Sequence, residues 1–157
     1  GKGGCVGGGG YARGDGRRVG GGKGERDEGG TNVEWVADWP GGMAAGQVSD
    51  ALVDFGDFLP TLVDLGHGAV PDDLATDGFS FAGVLREDST GKRTWAYSER
   101  GQRCWGRTAR WKLYNDGRFF DLAADPKEQM PLPKNGTSSA TASAREMLQR
   151  ALGSLGR

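Results

Sequence analysis

The chain has one histidine and two cysteines among its 157 residues. A histidine-based metal site needs more than one imidazole. His67 stands alone between glycines in "LGHGAV", where an exposed loop after a helix end is the expected setting. Cys5 and Cys104 are far apart and neither sits in C-x-x-C spacing. A zinc ribbon or a thioredoxin-type pair is therefore not indicated, and a disulfide is allowed without being implied. Excess positive charge is also missing. The 20 basic and 21 acidic residues give a net charge of −1, which lacks the basic footprint of a nucleic-acid binder. No apolar run approaches the roughly 20 residues of a membrane-spanning helix, so neither nucleic acid nor membrane is an expected partner. No signal peptide is visible. Because the chain begins with Gly rather than Met, that absence does not assign a compartment.

What the chain has in plenty is glycine, unevenly spread. Fifteen of its 30 glycines fall in the first 30 residues, where ordering the backbone is costly and few side chains can pack. Residues 1–30 are therefore expected to form a glycine-rich, poorly ordered leader, with the packed part starting near Thr31. Within the leader, "GGKGERDEGG" places Lys23 among glycines. Backbone N–H groups in such a loop can cradle an anion, with the ammonium adding charge. It is not a P-loop: Arg17 stands where the first Gly should be, and Gly24 follows Lys23 in place of Ser or Thr. "GDGRRV" likewise ends in Val19 where a dinucleotide-binding fingerprint needs glycine.

Beyond the leader, Val33, Trp35, Ala37 and Trp39 repeat at a period of two, which predicts a strand over Val33–Trp39 closed by the "WPGG" turn. Asp57 is placed to cap a helix in which Leu59, Leu62 and Val63 form an apolar stripe, with Gly66 as its stop. Phe79–Arg86 reads as a short helix with Phe81, Val84 and Leu85 inward. Arg93–Glu99 reads as a strand. Trp111–Tyr114 and Arg118–Leu122 flank Asn115-Asp116-Gly117, the pattern of a β-hairpin. From about Ala140, the residues Ala144, Met147, Leu148, Ala151, Leu152 and Leu155 share one helix face, and Ser143 with Glu146 fits a capping box. The order of elements indicates an α+β fold. The tryptophans 35, 39, 95 and 111 are expected to pack in the core rather than line a cleft. Trp105, in the loop-like "ERGQRCWGR", is the one expected to be exposed.

The order of these landmarks resembles the sulfatase family, in its bacterial arylsulfatase-like form. "GGKGERDEGGTNVEWVADWPGGMAAGQVSDALVDFGDFLPTLVDL" is similar to the sulfatase segment running from the lysine loop through "WPG" into the "D-x-x-PTL" helix. "DGFSFAGVL", "RTWAYSE" and "RWKLYNDGRFFDLAADPKE" follow in family order. The resemblance spans roughly Gly14 to the C-terminus. It implies the end of an alkaline-phosphatase-like α/β domain over residues 31–90, followed over 91–157 by a small four-stranded antiparallel sheet with a C-terminal helix. It also implies a parent that hydrolyses aryl or carbohydrate sulfate esters with formylglycine and calcium, in the periplasm or outside the cell.

Carried over residue by residue, Lys23 matches the family lysine that contacts the sulfate, and Glu28-Gly29-Gly30 match loop-shaping positions. Arg100, Arg103 and Arg107 fall where relatives vary on the substrate side, which makes them candidates to contact an anionic substrate, although solvated surface charge is the expected reading. The chain departs from the family pattern in several places. Neither Cys5 nor Cys104 stands in C/S-x-P-x-R, no "DNG"-type metal motif precedes Lys23, Glu25-Arg26-Asp27 replaces small hydroxyl residues, and Glu34 replaces a proline. No catalytic or metal residue is therefore assigned on this chain. As a C-terminal fragment it is expected to be inactive by itself. The alternatives are a non-catalytic remnant or scaffold, or a related phosphatase or phosphonate hydrolase. An apolar face left exposed is a further expectation.

Overall fold

The computed structural model describes residues 11–12, 18–19, 22, 24–33, 35–86, 90–135 and 138–155. Cys5, Asp15, Lys23 and Glu34 lie outside them. Strands β1 (Tyr11–Ala12) and β2 (Arg18–Val19) pair antiparallel. The four-residue helix α1 (Glu28–Thr31) follows. A 3₁₀ turn at Phe55–Asp57 leads into α2 (Phe58–Leu65), and α3 covers Ala82–Leu85. Strands β3 (Ala96–Arg100), β4 (Arg103–Arg107), β5 (Trp111–Tyr114) and β6 (Phe119–Asp121) form a four-stranded antiparallel meander in sequential order. Helix α4 (Ser139–Ser154) closes it. The fold is α+β, as expected.

The sheet sorts its side chains by the alternation of a pleated strand. Cys104, Leu113 and Phe119 point to α4, where Leu148 and Leu152 complete a buried cluster. Burying each of these leucines is worth about 1.5–3 kcal/mol over leaving it in water. Trp105, Tyr114, Phe120 and Leu122 form a second cluster on the opposite face. The β5–β6 hairpin turns where its sequence says it should: Gly117 has φ +89°, a left-handed conformation that glycine adopts without a Cβ clash. Trp95 and Trp111 pack against the α4-side core, as anticipated, and Trp111 stacks on Phe119 at 5.5 Å.

Several expectations are corrected. Val33 and the residues from Trp35 to Trp39 are not in a strand. Their period of two is present in the sequence, but a strand needs a hydrogen-bonded neighbour, and no described strand pairs with them. The segment is held instead by Trp35, which packs edge-on against Phe58 and Phe81. "RCWGR" is a strand, not a loop, and Trp105 is buried at 5% exposure. Glu28, three residues before Thr31, is fully buried. The cap of α4 is Ser138, whose hydroxyl accepts from the Thr141 N–H, which leaves Ser143 inside the helix. In α2 the buried residues are Pro60 and Thr61, whereas Leu59 and Leu62 face outward at 49% and 64% exposure. Val36, Val48 and Phe55 are also exposed.

Asp57 precedes α2 but does not cap it with its side chain. Asp54 caps the 3₁₀ turn through the Gly56 N–H, which frees Asp57 to point inward. Its carboxylate accepts from Arg93 Nε and Nη2 at 2.7 and 2.6 Å, and from the Asp54 and Phe79 N–H groups at 2.9 and 2.7 Å. One buried carboxylate thereby ties α2, the strand-like approach to α3 and the entrance to β3. Thr61 adds a second tie by accepting from the Phe81 N–H at 3.0 Å.

Burial works against the Asp57 charge, but Arg93 and the two backbone donors outweigh it and hold the carboxyl below its ordinary value. A lowered carboxyl pKa stabilises the fold above the unfolded value of about 3.9 and loses that contribution as pH falls through the folded value. Asp57→Asn is therefore expected to destabilise the chain most at neutral pH, with the gap to wild type narrowing below about pH 4. Urea unfolding from pH 3 to 7 checks this, and a pH-independent gap would contradict it.

Candidate functional site

On the sheet face away from α4, the alternation that buries Trp105 and Tyr114 also directs Arg107 and Lys112 inward. Two long cations in a low-dielectric layer need anions. Glu28 and Glu128 supply them. Glu28 has no exposed side-chain surface, and neither has Lys112. Arg107 Nη1 donates to Glu28 Oε2 at 2.5 Å. Lys112 Nζ donates to Glu128 Oε1 at 2.8 Å and to the Arg26 carbonyl at 2.7 Å. Tyr114 Oη is shared between Glu128 Oε2 and the Arg26 carbonyl, 2.5 and 2.8 Å away. The Glu28 N–H donates to Glu128 Oε1 at 2.9 Å. The formal charges within this group cancel. One atom is left over: Glu28 Oε1 is buried without a hydrogen bond, 3.6 Å from Lys112 Nζ.

Burial pulls the Lys112 pKa below the ordinary lysine value, while Glu128 and Glu28 pull it back up. Burial and the Glu128 carboxylate together push the Tyr114 hydroxyl far above its usual range, so it serves as a fixed donor. Glu128 reaches the cluster from a left-handed backbone, φ +53°. That conformation costs a non-glycine residue about 1–2 kcal/mol, and the three donors on its carboxylate hold it there.

The cluster anchors the lysine loop. Lys23 itself lies outside the described residues, but both of its neighbours are described. Gly22 N donates to the Gly29 carbonyl at 2.9 Å, and Glu25 N donates to the Gly22 carbonyl at 2.7 Å, which closes the loop on itself. Asp27 caps α1 through the Gly30 N–H. Gly30 must be glycine, because a Cβ there would lie 2.3 Å from the Glu25 carbonyl oxygen and 2.6 Å from that of Gly22. Arg100 donates to the Gly24 carbonyl. The loop-shaping reading of Glu28-Gly29-Gly30 thus has a structural basis, with Glu28 as the buried anchor. Of the three arginines singled out on the substrate side, Arg107 is an internal partner of Glu28 and is unavailable to substrate. Arg100 braces the loop. Arg103 faces a polar cleft of about 530 Å³, which Arg26, Gln102, Asn115, Asp116 and Arg118 also line.

A second, apolar cavity of about 440 Å³ lies between α2 and the Trp35–Met43 segment. Trp35 and Trp39 line it at 46% and 40% exposure, so these two are wall residues rather than core. Among the described residues no set of three or more His, Cys, Asp or Glu is gathered as for a metal ion. Cys104 is a buried thiol followed by Trp105-Gly106-Arg107-Thr108, with neither Pro nor Arg at the formylglycine offsets. No chemical step on this chain is routed through either group.

Neither Glu28 nor Glu128 was legible as a partner of Lys112, because the contacts cross 84 and 16 residues of sequence. Removing one member of a buried, paired set is far costlier than removing an exposed pair. Lys112→Ala is expected to destabilise the fold by about 3–5 kcal/mol, and Asp116→Ala, from the half-exposed Asp116–Arg118 pair, by no more than about 1 kcal/mol. Urea denaturation of both variants tests the ranking, and equal losses would contradict it.

No protein-family model matches the chain. It is 38% identical over 69 residues to an arylsulfatase of Hemicentrotus pulcherrimus, a match covering 44% of this chain and 12% of that protein. It is 39% identical over 59 residues to human arylsulfatase D, covering 38% of this chain and 10% of the relative. The chain thus matches about a tenth of the length of these curated relatives. A solved structure of a protein in complex with its substrate D-glucosamine-2-N,6-O-disulfate superposes with a TM-score of 0.50 at 24% identity, over 60% of this chain and 23% of the other. That similarity concerns the fold. The motif order and the sequence matches agree: over the matched segment this chain is related to the sulfatases.

Proposed function

We propose that this chain supplies the sulfate-contact loop and the C-terminal sheet of a sulfate-ester hydrolase with an alkaline-phosphatase-like main domain. Residues 1–30 carry the lysine loop, 31–90 end the main domain and 91–157 form the closing sheet and helix. The observation that carries the reading is the locking of the loop on both sides of Lys23: Gly22 to Gly29 and Glu25 by backbone bonds, and Arg26 and Glu28 to the buried cluster. A lysine between such anchors can hold sulfate oxygens without reorganising. In an intact enzyme that kind of preorganised donor is worth about 10²–10³ in rate. The parent would be an arylsulfatase-like enzyme, periplasmic or secreted, acting on aryl or carbohydrate sulfates. Formylglycine and calcium would be supplied by parts of the parent other than the described residues.

A second reading, a non-catalytic remnant or scaffold module, is favoured by the departures from the C/S-x-P-x-R pattern. Both readings expect the purified chain, given calcium, to release no more nitrophenol from p-nitrophenyl sulfate than its Lys23→Ala variant. They part on sulfate binding. Loss of one charge-assisted donor, about 1.5–3 kcal/mol, is expected to weaken binding of inorganic sulfate by roughly ten- to a hundredfold in Lys23→Ala. Titration calorimetry checks this. Identical sulfate affinity in the two proteins would favour the remnant, and turnover well above the variant would place a nucleophile in this chain.

A further inference from the structure

The apolar cavity against α2 has no part in the sulfate-ester reading. Its volume of about 440 Å³ falls within the roughly 300–1,000 Å³ usual for small-molecule sites. Four aromatic residues line it: Trp35, Trp39, Phe58 and Phe81. Asp38 is the one charged residue on its wall, and Thr61 carries the one hydroxyl. Thr61 is already engaged, donating to the Asp57 carbonyl at 2.6 Å and accepting from the Phe81 N–H at 3.0 Å. The Asp38 side chain has neither a hydrogen bond nor an ion pair among the described residues.

The aromatic walls are set before any ligand arrives. Trp35 meets Phe58 and Phe81 edge-on, with ring centroids 5.7 and 5.2 Å apart. Phe58 and Phe81 meet each other in the same way at 5.5 Å, so each ring restrains the other two. Trp39 is held by the turn that follows it. The Gly42 and Met43 N–H groups donate to its carbonyl at 3.0 and 3.2 Å. A Cβ on Gly42 would lie 2.1 and 2.2 Å from the two ring-fusion carbons of Trp39. The turn backbone therefore covers one face of the indole. Trp35 and Trp39 still keep 46% and 40% of their surface in solvent.

An aromatic face is a partial negative charge, and a carboxylate on the same wall adds a full one. A neutral apolar molecule would suit the rings and leave Asp38 to water. A hydrated metal ion would pair with Asp38 and gain nothing from the apolar wall. A cation with a hydrocarbon skin uses both. We infer that this cavity binds a small organic ammonium ion, alkylated at nitrogen, with its charge beside Trp39 and Asp38 and its apolar body against Phe58 and Phe81. The site is independent of the sulfate reading and uses none of the lysine loop.

Calorimetric titration of the chain with benzyltrimethylammonium and with neopentylbenzene tests it. The two molecules have the same shape, and carbon replaces the charged nitrogen in the second. The cation is expected to bind about tenfold tighter, the combined effect of cation–π contact and one half-solvated carboxylate. Asp38→Asn and Trp39→Leu are each expected to cut that ratio about threefold. Asp73→Asn removes an exposed carboxylate outside the cavity and is expected to leave the ratio unchanged. Circular dichroism melts matching wild type would show that the variants fold. If Trp39→Leu does not, the comparison of Asp38→Asn with Asp73→Asn decides alone. Equal affinity of wild type for the two molecules, or binding of neither, overturns the site. So does a ratio that survives Asp38→Asn, or one that falls as far in Asp73→Asn.

Discussion

Four buried charges hold this molecule together. Glu28 and Glu128 meet Arg107 and Lys112 under the second face of the sheet, with Tyr114 closing the network. A buried ion set is weak evidence for stability, because desolvation offsets most of the Coulomb attraction. What it imposes is position. Remove any one member and its partner is left buried and uncompensated, so each arrives at a defined place or the fold fails locally. The glycine-rich loop has no apolar side chain of its own to pack. It is tied to this cluster through the carboxylate and N–H of Glu28 and the carbonyl of Arg26.

The same economy recurs at Asp57, where one carboxylate ties α2, the approach to α3 and the start of β3 through Arg93 and two N–H groups. The two carboxylate centres divide the work. Asp57 organises the segment whose apolar residues Leu59, Leu62 and Phe55 face outward, and Glu28 organises the loop.

The hairpin was readable because Asn115-Asp116-Gly117 carries its own turn chemistry, and the face of α4 because six apolar residues repeat at helical spacing. Strand β4 was not. Three arginines and two glycines in "RGQRCWGR" hide the alternation of Cys104 and Trp105, and only the neighbouring strands make it a strand. Val33–Trp39 erred the other way: its alternation promises a sheet position, and the described residues offer it no partner. Glu28 was seen as loop-shaping from its place after Lys23, but its burial and its pairing with Arg107 depend on contacts 79 residues apart. The same distance explains why Arg107 read as solvated surface charge or a substrate contact rather than an internal partner. Local pattern reports which residues alternate; it does not report which charge lies beneath them.

The central claim is that the lysine loop is ordered as a unit with the sheet through the buried charges. Native-state hydrogen exchange measures this directly at the N–H groups of Gly22, Glu28, Thr31 and Asn32, all of which have partners. The account expects them to be protected and to exchange with the same denaturant dependence as the β4–β5 ladder, because opening the loop requires breaking the cluster on the sheet. Fast, denaturant-independent exchange of the loop amides, with β4 and β5 still protected, would contradict it.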